Sequence, residues 1–96
     1  MTRINTHPGE VLREEFLVPF GMSARALARE LDVPPNRITS IINEERDVTA
    51  DTAIRLARFF GTSAEFWLGL QKDYDLAKAL SEHDYANIHQ KEPVAA

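Results

Sequence analysis

The stretch that most constrains the fold is residues 22–47, MSARALARELDVPPNRITSIINEERD, which reads as two short helices joined by a tight turn. Ser23 is a good N-cap, because a serine hydroxyl accepts a hydrogen bond from an otherwise unpaired amide in the first turn. Met22 and Leu27 stand where a hydrophobic staple places its two partners, one before the cap and one four residues after it. Leu27, Ala28 and Leu31 give the first helix a buried stripe. Asp32-Val33-Pro34 stops it, since the residue before a proline is pushed out of the helical region. Pro35 fits the first turn of the second helix, where its missing N–H is not needed. That helix turns Ile38, Ile41 and Ile42 to one side. Asn36, Arg37, Thr39, Ser40 and Asn43 lie on the other.

This second face is polar, short-chained and nearly free of acids. Asn, Ser, Thr and Arg reach base edges and phosphates in a major groove. Alone, such a face is that of an ordinary amphipathic helix with a polar outside. The pairing is what argues for DNA. Small Ala28, Val33 just past the turn, and Ile38 and Ile41 beyond it suit two helices crossing steeply. That arrangement is a helix-turn-helix, with helices at about 23–31 and 35–43 and the second one entering the groove.

The flanks supply three more helices. Helix 1 is expected from Pro8 to about Leu17, with Val11, Leu12 and Phe16 toward the core and Glu10, Arg13, Glu14 and Glu15 outside. Pro19 and Gly21 end it, and Phe20 is expected to plug the core from the loop. Thr49 caps helix 4, whose Ala53, Leu56, Ala57 and Phe60 recur at helical spacing. Gly61 ends helix 4, and Ser63 caps helix 5, about 63–80. Phe66, Trp67, Leu70 and Tyr74 spread round more of helix 5 than one core contact needs. A helix apolar on two sides points to a second subunit, so these four form the expected dimer interface. The alternative is that Trp67 and Tyr74 are core and rim. The fold class is therefore all-α: a five-helix domain over residues 1–80, with 81–96 a C-terminal tail.

Charge tempers the DNA reading. The net charge is −4, and phosphate neutralisation supplies most non-specific affinity. Residues 23–60 are balanced, with six arginines against six acids, and the acidic surplus lies mainly in 61–96. Arginine is the better fork for phosphate and guanine. Acidic ends would suit a second, basic partner. Chemistry has little support. The histidines at 7, 83 and 89 have no metal-like pairing, and adjacent Glu14 and Glu15 diverge by about 100° on a helix. There is no glycine-rich phosphate loop or nucleophile elbow, so no enzyme activity, metal or cofactor is expected. Cysteine is absent, no stretch approaches the ~20 apolar residues of a membrane span, and Met1 to Asn5 shows no secretory signal. The expected compartment is the cytoplasm.

Three stretches carry a resemblance: HPGEVLREEFLVPFGMS; SARALARELDVPPNRITSIINEERDVTADTAIRLARFFGTS; and AEFWLGLQKDYDL. Over about residues 4–80 the chain resembles the HigA-type antitoxins, a branch of the phage-repressor-like (Xre) helix-turn-helix proteins. The resemblance implies a homodimer that binds palindromic half-sites in its own operator and represses transcription. It also implies neutralisation of a HigB (RelE-like) RNA-cleaving toxin. Carried over residue by residue, it puts Ser23 and Asn43 beside phosphates and Asn36, Thr39 and Ser40 toward base edges. Arg37 and Arg46 serve either role, and Arg25 and Pro35 complete the DNA-facing set. Glu10, Arg13 and Glu14, with the acidic residues of 73–84, are the exposed candidates for toxin contact. Two departures stand out. Relatives often have glycine where this chain has Asp32, and Asn-Gly-Lys-Arg where it has Asn43-Glu44-Glu45-Arg46. The second puts two acids near the phosphates and a non-glycine where the chain wants a left-handed residue. A solitary regulator without a toxin, and an interaction module that has lost DNA binding, are the competing readings.

Overall fold

The computed structural model describes residues 6–93, among which there are five helices and no strand. Helix α1 runs through Pro8–Val11, a π-helical stretch Leu12–Leu17, and Val18–Phe20; then follow α2 (Ala24–Leu31), α3 (Pro35–Ile42), α4 (Ala50–Phe60) and α5 (Ala64–Glu82). α2 packs on α3, α4 on α5 and α2 on α4, while α1 touches both α3 and α5. The shared core is apolar, with Leu12, Leu27, Ile38, Ile41, Leu56 and Trp67 fully buried. Phe16 lies between Phe60 and Trp67, its ring centroid 4.7 and 5.2 Å from theirs.

The start of α1 explains the HPGE sequence. His7 caps the helix, its Nδ1 accepting the Gly9 N–H at 2.9 Å. Its buried ring meets Tyr74 edge-on, 4.8 Å between centroids. Pro8 takes the first helical position. Gly9 lies against the end of α3: a Cβ there would fall 1.8 Å from the Ile41 carbonyl oxygen, so no other residue fits without separating the helices.

Contrary to the expectation from the sequence, helix 1 does not break at Pro19. In the π stretch the Val18 N–H bonds the Arg13 carbonyl, five residues back. A widened turn relieves the clash a proline ring makes with the carbonyl four residues before it. α1 therefore continues to Phe20. Nor does Phe20 plug the core: it is 67% exposed and stacks on Phe60 at 5.9 Å.

Four helices end on a left-handed residue: Gly21, Asp32, Glu44 and Gly61. After α2, the Val33 N–H reaches the Ala28 carbonyl and the Asp32 N–H reaches that of Arg29, the paired bonds of a Schellman end. Val33 is thereby buried. Asp32 itself, at φ 58°, makes the stop that the sequence attributes to the coming proline. α3 ends the same way, with Glu45 N–H on the Ser40 carbonyl, Glu44 N–H on that of Ile41, and Glu44 at φ 62°. Ser23 and Ser63 cap α2 and α5 through their hydroxyls. Thr49 precedes α4 in extended conformation, but its side chain makes no capping bond.

Trp67 belongs to the core. It is fully buried in the single chain, and its indole N–H donates to Thr62 Oγ1 at 2.8 Å. It has no surface left for a partner, which removes it from the expected dimer contact. Tyr74 is half-buried against His7. Beyond Gln71 no residue of α5 is buried, and Leu76 and Leu80 are exposed. After Glu82 an exposed arm carries Tyr85 and Ile88. The radius of gyration is 17.0 Å and the longest extent 56 Å, against about 13 Å radius for a compact chain this long.

Candidate nucleic-acid interface

α3 turns at about 100° per residue, which places Asn36, Thr39, Ser40 and Asn43 within a single outward arc opposite Ile38 and Ile41. Asn36 and Asn43 are exposed, and Thr39 and Ser40 are half-buried. Pro35 is exposed at the helix start, following an extended Pro34. The outward row carries no charge of its own, so a duplex could approach to hydrogen-bonding distance along it.

Arg37 lies off this arc. It is half-buried, and its Nη1 donates to Asp51 Oδ2 at 2.7 Å. The same oxygen accepts from Arg55 Nε at 3.0 Å, and Arg55 Nη1 reaches the Leu31 carbonyl at 2.8 Å. This chain of bonds ties α4 to the start of α3 and the end of α2. Hydrogen bonding and charge from Arg55, then from Arg37, hold the Asp51 carboxyl below its ordinary range. One nitrogen of the Arg37 guanidinium is thus committed to Asp51.

The flanking groups frame the row. Ser23 and Arg25 are exposed at the N-terminal end of α2. The Ser23 oxygen accepts the Ala26 N–H at 3.1 Å, leaving its hydroxyl proton able to donate to a phosphate. Arg46 is exposed in the loop after α3, next to exposed Glu44 and Glu45. Arg13, expected on the toxin-facing surface, is half-buried and has a structural duty: its Nη1 donates to the Ile42 carbonyl at 3.0 Å, at the end of α3, and its Nε to Glu14 at 2.9 Å.

Sequence reasoning missed Gln71. It is buried in α5, accepts the Val48 N–H at 2.7 Å, and donates to Asp47 at 3.2 Å and Asp75 at 2.9 Å. It clamps the loop that leaves α3. A lone polar residue among the apolar positions of helix 5 was the available signal.

A family profile described as helix-turn-helix matches residues 12–67. The chain belongs to the helix-turn-helix family. The match spans the Arg37–Asp51–Arg55 network and ends at the buried Trp67. Virulence-associated protein I of Dichelobacter nodosus is 54% identical to this helix-turn-helix chain over 82 residues, 85% of this chain and 76% of the relative. An uncharacterised HTH-type transcriptional regulator of Haemophilus influenzae is 45% identical over 76 residues, 79% of this chain and 71% of the relative. Among solved structures, the Pseudomonas aeruginosa antitoxin HigA with the higBA promoter aligns with a TM-score of 0.85 at 46% identity, covering 97% of this chain and all of that one. The all-α, five-helix fold and the likeness to HigA antitoxins thus stand on both sequence and coordinates. No helix of the described residues is long and apolar enough to cross a membrane.

Proposed function

We propose that this protein is a DNA-binding antitoxin: a homodimer that represses its own operon and neutralises a HigB/RelE-like RNA-cleaving toxin. The observation that carries this is the uncharged outward row of α3, in a chain that aligns nearly end to end with an antitoxin solved on its promoter. Asn36, Thr39 and Ser40 read base edges. Ser23, Arg25, Asn43 and Arg46 grip phosphates, with Pro35 seated at the groove edge. Arg37 is a phosphate or base contact whose guanidinium is positioned by Asp51.

The dimer forms through the distal half of α5 and the arm. Leu76 and Leu80 are exposed there, Leu80 at 68%, and Tyr85 and Ile88 add to the same unburied apolar surface. A single chain leaves these groups in water, and pairing two copies removes them from it.

Gel-shift titration against the DNA upstream of the gene tests the reading. Asn36→Ala is expected to weaken specific binding by about 1–3 kcal/mol if Asn36 contacts a base. Wild-type affinity in that variant would take α3 out of the groove. The second reading, a solitary regulator, is favoured by the Haemophilus relative, an HTH-type transcriptional regulator. Co-expression with the neighbouring reading frame separates the two: co-purification of a small basic protein supports the antitoxin, and its absence supports the regulator.

A further inference from the structure

A groove of about 470 Å³ runs between α1 and α5. Its apolar lining is Val11, Phe66 and Leu70, and its acidic lining is Glu10, Glu14, Glu15 and Asp73. Phe66 is 41% exposed, and Val11 and Leu70 are half-buried, so the apolar part is open to a visitor. Arg13 is the one basic residue of α1, and its guanidinium is engaged with Glu14 and the end of α3. From Phe66 to Asp73 the groove follows α5 for seven residues, about 10 Å or two helical turns.

We infer that this groove is the docking site for a basic amphipathic helix of a partner protein. This rests on the antitoxin reading and names the surface by which that partner is held. An apolar floor about one turn long on α5, from Phe66 to Leu70, widened by Val11 of α1, takes the anchor residues of one helix face. The acidic rim beside it, in which Glu14 already pairs with Arg13 while Glu15 and Asp73 face solvent, selects lysines and arginines flanking those anchors and speeds encounter with a cationic partner. The same carboxylates repel phosphates, so nucleic acid is excluded from this face. The assignment removes Phe66 and Leu70 from the dimer contact expected from the sequence. It keeps Glu10 and Glu14 as partner contacts and leaves Arg13 as the residue that fixes α1 on α3.

Two measurements on the full chain test it. In the first, a helical peptide with leucines on one face and lysines on its edges is titrated into 15N-labelled protein. Shift changes confined to α1 and α5 around Val11, Phe66 and Leu70 are expected. Changes scattered over the acidic surface, or centred on Leu76 and Leu80, overturn the groove. In the second, the protein encoded by the neighbouring reading frame is titrated against wild type and against Glu15→Lys/Asp73→Lys and Leu70→Ser, with thermal melting and sizing as controls. Each variant is expected to bind about tenfold more weakly or worse, while remaining folded and dimeric. Unchanged affinity overturns the groove and leaves the antitoxin reading standing. Monomeric variants assign the groove to a second copy and also overturn it. A neighbour that does not bind wild type, beside a peptide that does fill the groove, overturns the antitoxin reading alone.

Discussion

At the scale of single residues, the two left-handed non-glycines are the clearest liabilities. Asp32 and Glu44 hold φ near +60°, a conformation in which Cβ crowds the following carbonyl. Asp tolerates it better than Glu, because a short polar side chain can bond locally. Glu44→Gly is therefore expected to stabilise the fold by about 1 kcal/mol in urea unfolding, and Asp32→Gly by less. Charge is a separate matter. Glu45→Lys removes an acid beside Arg46 and is expected to tighten operator binding and steepen its salt dependence, read by gel shift at two salt concentrations. The left-handed position at 44 was legible from the missing glycine of the Asn-Gly-Lys-Arg pattern. The engagement of Arg37 was not. Its partner Asp51 lies fourteen residues away on another helix, and no local pattern links them. Asp51 ionises more readily than a free carboxylate, so this tie is present at neutral pH and is lost as acid protonates Asp51. Because the group is exposed, its share in stability is small.

At the scale of elements, what matters is how α3 is seated. Gly9→Ala is expected to destabilise by about 1–3 kcal/mol through overpacking, since backbone rather than a flexible side chain meets the added methyl. Gln71→Ala is expected to cost a similar amount by leaving the buried Val48 N–H unpaired; hydrogen exchange should localise the loosening to the loop 43–48. Helix positions and most ends were readable from caps, prolines and the spacing of apolar residues, because those signals act within a turn or two. The π stretch in α1 was not readable. It depends on how one helix accommodates Pro19 while packing on two others, and a proline in sequence says only that the ordinary pattern is disturbed.

At the scale of the whole molecule, the elongated shape follows from α5 outrunning the body it packs on. Leu80→Glu is expected to yield monomers on sizing with the helical content of the body retained, and with weaker operator binding, since paired half-sites need paired subunits. Trp67→Glu, by contrast, puts a charge into a fully buried site and is expected to unfold the chain rather than divide a dimer. The sequence reading placed a second subunit on helix 5 through Phe66, Trp67, Leu70 and Tyr74, and of these Trp67 is fully buried within the single chain. Aromatic residues drew attention to 66–74, yet a tryptophan is as often the keystone of a small core, and only the packing distinguishes the two. The less conspicuous Leu76 and Leu80 are more exposed than Phe66.

The joint between α1 and α3 is made twice, by the Gly9 backbone against the Ile41 carbonyl and by Arg13 on that of Ile42. A body gripping α1 thus has its hand on the lever that aims α3. If capture of a protein shifts that lever, operator and captive compete or cooperate through the joint without touching, and each must alter the other's hold by the same factor. Loosening it with Arg13→Ala, which leaves the Gly9 contact in place, would weaken that mutual influence.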